Sequence, residues 1–297
     1  MNRIPPLRVF FRPGIGGIVP DAWILEPGMP SDARPVVLVH GLYRNVEEMV
    51  RLLQGRAEDT RRTLILPHFD KAHWPRYQRA ACDQRADWAM LTLLRALRSE
   101  GRIGQGPVDL SGFSGGAQFA HRFAWLYPDA VGRLCLAAPG WWTFPDAELP
   151  WPYGMGDRAG DGAGDAAGKG AVEGFWLRAN LPRFFDREIV VRVGTDDTQR
   201  DENLRKGNAI DAQQGGNRAL RAQRWVAHAA QAARAAGVTP DISFGVLQGC
   251  GHNLADCVRR GRLDRDLVAA PACAGDCAQC AIHDRAITFT PAEGLCA

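Results

Sequence analysis

Ser114, Asp197 and His252 are the residues whose types, order and settings could carry chemistry. A serine hydroxyl is a weak nucleophile until a base takes its proton, and an imidazole base needs a carboxylate to fix its tautomer. Ser114 lies in Gly112-Phe113-Ser114-Gly115-Gly116, between the β-prone run Val108-Asp109-Leu110 and a helical stretch that Pro128 ends. Strand, sharp turn and helix make the setting in which such a serine is exposed at the edge of a sheet. Side chains two positions before and after it would collide with neighbouring elements, and glycine removes them. The positive end of the following helix would face the negative charge that develops in acyl transfer.

In this architecture the acid follows the serine and the histidine follows the acid. Val193-Gly194-Thr195-Asp196-Asp197 ends one predicted strand, and Gly249-Cys250-Gly251-His252-Asn253 follows the last. Asp197 is favoured as the acid, with Asp196 the alternative. His252 is preferred among seven histidines because His68, His73 and His121 precede the acid, His228 falls mid-helix and His283 lies in the tail. His40-Gly41-Leu42 closes a buried strand upstream of the serine. The backbone N–H groups of Leu42 and Gly115 are the expected oxyanion donors, and the His40 side chain is expected to be structural.

These residues need a scaffold that brings strand ends to one edge. Val36–Val39, Thr63–Leu66, Arg133–Ala138, Glu188–Val193 and Ile242–Leu247 are short apolar runs, as in strands buried on both faces. Helical patterns separate them: 44–54, 83–100 (Met90, Leu93, Leu94 and Leu97 on one face, Asp83 as cap), 114–127, 217–236 behind Asn217, and 253–260. The alternation predicts an α/β fold with a doubly wound, mainly parallel sheet, and residues 7–11 and 21–25 form an antiparallel edge. An aromatic-rich insertion over 140–186 surrounds a polar, glycine-rich 154–170. Its Trp141, Trp142, Trp151 and Trp176 are expected to wall the substrate pocket, the other reading being that they cover the core edge.

HGLYRN, GFSGGAQFAHRFAWLYPDAV, APGWWTFPD, VGTDDTQRDENLR and GCGHN together resemble the α/β-hydrolase superfamily. The resemblance is greatest to the bacterial branch of poly(3-hydroxyalkanoate) depolymerase-like and feruloyl-type esterases, and it covers about residues 7–262. It implies a serine esterase acting on a small-molecule ester through an acyl-enzyme, without a cofactor. An acyltransferase or peptidase on the same residues, and an inactive binding module of the same fold, are the alternatives.

A net charge of +3, with 36 Lys and Arg against 33 Asp and Glu and no basic run, gives no footprint for nucleic acid. No apolar stretch reaches a membrane span or a leader, so the chain is expected to be soluble and cytoplasmic. Residues 263–297 read as a separate cysteine-rich extension. Cys273, Cys277 and Cys280, with His283, Cys257 or Cys296, could hold a structural metal; disulfides or free thiols are the other reading. Cys82 and Cys135 are expected to be buried and inert.

Overall fold

The computed structural model describes residues 5–82, 84–156 and 174–270. Asp83, most of the 154–170 segment, and Cys273, Cys277 and Cys280 with the rest of the tail lie outside the described residues.

Eight strands form one sheet: β1 (Arg8–Arg12), β2 (Asp21–Glu26), β3 (Val36–Val39), β4 (Leu64–His68), β5 (Val108–Phe113), β6 (Val131–Ala137), β7 (Glu188–Gly194) and β8 (Asp241–Leu247). Their spatial order is β1-β2-β4-β3-β5-β6-β7-β8. β1 and β2 pair antiparallel, as expected, and β2 joins β4 antiparallel. From β4 to β8 every pairing is parallel. The expected α/β fold is the observed one. β3 and β5 lie side by side at its centre and are buried throughout; β3 reads as an unbroken apolar run, and in β5 the buried Asp109 is met by Arg34 and Arg62.

Helices cover both faces. On one side α2 (Ala86–Ser99), α3 (Gly115–Leu126), α4 (Gly174–Phe185) and α6 (Arg218–Ala235) enclose a core that includes Leu93, Phe119, Phe123 and Trp225. On the other, α1 (Val46–Thr60), α7 (Leu254–Arg259) and α8 (Leu263–Leu267) pack over Val36, Leu38, Leu64 and Leu66. The remaining helix is α5 (Asn208–Gln214), which the sequence pattern did not single out. α1 runs six residues beyond the expected end at 54, because Ala57 and Thr60 continue its buried stripe from Val46, Met49, Val50 and Leu53. Asn217 and Asn253 cap α6 and α7 by accepting from the N–H groups of Leu220 and Asp256.

The packed chain continues past residue 262, where the extension was expected to begin. Leu263, Leu267 and Val268 are buried. Polar groups fix the same segment. The Ser111 hydroxyl donates to the Leu267 carbonyl at 2.7 Å, and Arg192 donates to both Asp266 carboxylate oxygens at 2.9 and 3.0 Å. The guanidiniums of Arg56 and Arg62 donate to the Val268 and Ala269 carbonyls at 2.8 and 2.9 Å. A five-residue helix carries too little periodicity to be recognised in sequence, so its role emerges only from these contacts. A chain ending at 262 should therefore lose roughly 5 kcal/mol from three apolar side chains alone, whereas one ending at 270 keeps them. Thermal unfolding of the two truncated chains checks this; equal melting temperatures would contradict the assigned packing.

Candidate active site

The site forms where β5 passes into α3. Ser114 sits between them with φ 56° and ψ −116°, a left-handed backbone that a side chain other than glycine rarely adopts. The close approach that enforces this turn is visible at its two flanking glycines. A Cβ on Gly112 would come within 2.3 Å of the Gly116 carbonyl carbon, and one on Gly116 within 1.9 Å of the Val39 carbonyl oxygen. The turn thus wedges α3 against the ends of both central strands.

The other two side chains arrive from neighbouring strand ends. Gly194 closes β7, where a Cβ would meet the Cys250 carbonyl oxygen at 2.0 Å, so the loops after β7 and β8 run in contact. The Asp196 N–H donates to that carbonyl at 3.0 Å, and the Gly249 N–H donates to Thr195 Oγ1 at 2.9 Å. This clamp holds Asp197 against His252. His252 Nδ1 is 2.7 Å from Asp197 Oδ2, and its Nε2 is 2.9 Å from Ser114 Oγ. With the Nδ1 proton directed to the carboxylate, Nε2 is left as the acceptor for the serine hydroxyl. The Phe113 ring stacks on the imidazole at 5.1 Å. Asp197 is buried, whereas Asp196 is exposed and, among the described residues, takes only the Thr195 hydroxyl. Of the two adjacent aspartates, the structure brings Asp197 alone to the histidine.

The loop after β3 forms the facing wall. Leu42 Cδ2 would lie 2.9 Å from a Cβ on Gly115, so the Leu42 side chain packs against the first residue of α3. As the first residue of α3, Gly115 has no intrahelical acceptor for its N–H. The expected structural part of His40 is seen in its contacts. Its Nδ1–H donates to the Gly41 carbonyl at 2.8 Å, its Nε2 accepts the Phe69 N–H at 3.0 Å, and Tyr77 Oη donates to its own carbonyl at 2.6 Å. Burial lowers the His40 pKa to about 3, so the ring stays neutral. Because a trans peptide points its C=O and the next N–H in opposite directions, holding the Gly41 carbonyl also aims the Leu42 N–H. Arg44 locks the following peptide from the other side, donating to the carbonyls of Leu42 and Phe69 at 2.8 and 2.7 Å.

A cavity of about 150 Å³ opens on Ser114 and His252, between the 41–45 loop, the first turn of α1, Asn203 and Leu254. Glu48 lines it and makes no hydrogen bond or ion pair with any described residue. None of the four tryptophans expected to wall the pocket does so. After Ala138 (φ 49°) the chain turns away over α3 and α6. Trp142 stacks on Trp225 at 4.3 Å, and Trp141 lies over the buried Arg122 guanidinium at 3.9 Å. His121, fully buried, donates from Nδ1 to the Ala117 carbonyl at 3.1 Å and accepts the Thr143 N–H at Nε2 at 3.0 Å, fixing this insertion to α3. Trp151 is buried, and Trp176 stands 59% exposed on α4. Trp141, Trp142 and Trp151 seal the core edge, whereas Trp176 does neither. An aromatic cluster after a sheet strand has the same sequence signature in either role, so the pattern did not separate them. The residues missed in sequence, Glu48, Asn203 and Leu254, are ordinary helix and loop residues that only the fold brings to the serine.

Cys250 and Cys257 are buried thiols of the packed unit, as are Cys82 and Cys135. Burial raises the Cys135 and Cys257 thiols to about 12. No cluster of metal-ligating side chains occurs among the described residues, and none of their helices is long and apolar enough to cross a membrane.

Sheet order, elbow and helix placement define the α/β-hydrolase fold, as the resemblance implied. By sequence the chain matches no protein-family profile and no curated protein, and its likeness to known proteins is one of structure. It is similar to poly(aspartic acid) hydrolase-1 from Sphingomonas sp. KT-1, with 19% identity and a TM-score of 0.70 over 90% of this chain and 98% of that one. A poly(3-hydroxybutyrate) depolymerase from Bordetella parapertussis is 24% identical, with a TM-score of 0.63 over 82% of this chain and 84% of its own. An S-formylglutathione hydrolase from Staphylococcus aureus gives 13% identity and a TM-score of 0.56 over 90% and 98%.

The geometry separates the two aspartates by experiment. Asp197→Asn should lower kcat for hydrolysis by roughly 10³ to 10⁴-fold, because the imidazole loses the anion that fixes it. Asp196→Asn should cost less than about threefold, since its carboxylate faces solvent. Steady-state kinetics of the two variants decide it, and the reverse ranking would make Asp196 the acid.

Proposed function

We propose that this chain is a serine esterase that hydrolyses carboxylic esters through an acyl-enzyme, with Ser114 as nucleophile, His252 as general base and acid, and Asp197 as its orienting anion. The observation that carries the proposal is the continuous contact from Ser114 Oγ through the imidazole to a buried carboxylate, at 2.9 and 2.7 Å. Ser114 Oγ attacks the ester carbonyl carbon while its proton passes to His252 Nε2. The carbonyl oxygen becomes an oxyanion between the Leu42 and Gly115 N–H groups. Collapse of the tetrahedral adduct breaks the bond to the alcohol oxygen, which takes the proton from His252. Water then repeats the sequence on the acyl-enzyme, and Ser114 is regenerated.

The esterase reading agrees with the activities for which structural relatives are named: a poly(3-hydroxybutyrate) depolymerase, an S-formylglutathione hydrolase and a ferulic acid esterase. Ser114→Ala should abolish labelling by a fluorophosphonate and lower kcat for p-nitrophenyl acetate by about 10⁴-fold or more. Labelling that persists in this variant, or that maps to another serine of the parent, would refute the assignment.

The small cavity favours compact acyl groups, and Glu48 favours substrates without a carboxylate close to the ester. The Arg44 donors, spent on main-chain carbonyls, leave that carboxylate as the uncommitted charge of the wall. One charge interaction near a wet surface is worth about 1 kcal/mol, or roughly fivefold. Glu48→Gln should therefore raise kcat/KM for a succinate monoester relative to an acetate ester by about that factor. An unchanged ratio would remove Glu48 from the specificity of the site.

A further inference from the structure

The carboxylate behind His252 is held from its other side by a buried cation. Arg218, the first residue of α6, is 1% exposed. Its Nη1 lies 3.2 Å from Asp197 Oδ1, the oxygen that does not face the histidine. The same Nη1 is 2.7 Å from Asp201 Oδ2, and Nη2 is 2.9 Å from Asp201 Oδ1. The guanidinium thus forks closely onto Asp201 and touches the triad acid with one nitrogen at a longer distance.

Local stability does not account for this arrangement. A cation at a helix N-terminus opposes the helix dipole, and burying a guanidinium carries a desolvation cost that its partners only offset. Nε of Arg218 is buried without a partner among the described residues, a further cost. Function gives the cation a reason to be there. A carboxylate that meets the imidazole with one oxygen is free to rotate unless the second oxygen is also held. A guanidinium bound to Asp197 alone, however, would neutralise the anion that must stabilise the imidazolium during attack. Asp201 is the group that prevents this. Its carboxyl is held below the usual range first by the hydrogen bond from Arg218, so it keeps its charge and shares the cation.

We propose, resting on the triad reading above, that Arg218 and Asp201 are positioning residues: Arg218 fixes the plane of Asp197, and Asp201 draws off enough of its charge to leave Asp197 an effective anion. Counting Asp197, Arg218 and Asp201 together, one net negative charge faces the imidazole. Other groups nearby do not reproduce the effect. Glu48 lies across the cavity. Asp196 is exposed, and Cys250 and Cys257 are thiols, Cys257 held protonated by burial. The cations beside Arg218, Arg200 and Arg221, are both committed to Asp211 at 2.7 and 2.8 Å.

The two residues act with opposite sign, which a purely structural role would not reproduce. The test is the pH profile of kcat/KM for p-nitrophenyl acetate, with melting temperature and fluorophosphonate labelling of each protein. In Asp201→Asn the cluster becomes neutral, so the acidic limb should move to lower pH by about half a unit or more. kcat should fall roughly tenfold with little change in KM. In Arg218→Gln the cluster becomes doubly negative, and the limb should move to higher pH. Arg218→Lys keeps the charge and should hold the limb near that of the parent while losing part of kcat. Asp201 is partly solvent-accessible, so its variant keeps the idea testable should Arg218→Gln fail to fold. A limb that stays in place in Asp201→Asn, or that moves the same way in both variants, overturns the proposal while leaving the triad intact. A parent that does not label at Ser114 overturns both.

Discussion

Three stretches of backbone meet at Ser114 with no room for a Cβ atom between them: the end of β5, the first turn of α3 and the end of β3. Gly112 and Gly116 make that approach possible, and each would otherwise collide with main-chain atoms that cannot move aside. The serine is left in a left-handed conformation, a cost on the order of 1–3 kcal/mol that the surrounding sheet must offset. Much of the remaining structure follows from keeping that turn closed. β3 and β5 are the most deeply buried strands, α3 is buried along nearly its whole length, and the insertion after β6 lies down over α3. Trp141 and Trp142 of that insertion therefore belong to the support of the elbow.

Arginine supplies much of the second layer. Arg122, Arg218 and Arg221 are among the largest fully buried side chains, and each uses its planar fork to satisfy several oxygens at once. Arg221 reaches the carbonyls of Gly140 and Gly215 at 2.6 and 2.8 Å, joining the exit of β6 to the segment before α6. Arg122 donates to Thr143 Oγ1 at 2.9 Å and lies beneath Trp141. Lysine, with a compact charge and no fork, could not replace these contacts one for one. The excess of arginine over lysine in the composition says little on its own and acquires meaning only from these positions.

The parts of the site that were legible in sequence were those fixed by local steric rules. The glycine spacing around Ser114 and the apolar runs of the central strands reflect constraints within a few residues, and the order of serine, acid and histidine follows from the architecture. Asp197 could be favoured over Asp196 but not separated from it, because the distinction is burial, which depends on how the loops after β7 and β8 clamp together. Trp141, Trp142 and Trp151 were expected at the pocket for a related reason: apolar bulk marks burial without saying against what. α8 escaped notice because Leu263 and Leu267 alone make no periodic pattern. Arg218 and Asp201, seventeen residues apart across an irregular segment and a short helix, had no signal in spacing at all.

His40 and His121 share one bonding pattern: each donates from Nδ1 to a carbonyl, and each uses Nε2 to accept a backbone N–H. That second contact exists only for a neutral ring. Burial accordingly drives both rings below the ordinary histidine range, His40 to about 3. In the unfolded chain the same imidazoles take up a proton near pH 6.5. The unfolded state therefore binds more protons as the pH falls, and folding gives way in proportion. The stability His40 contributes is fully present above about pH 6.5 and is lost at about 1.4 kcal/mol per pH unit on the way down towards pH 3, with His121 acting in the same direction. The two rings that brace the loop after β3 and the aromatic insertion thus tie the persistence of the fold to the acidity of its surroundings.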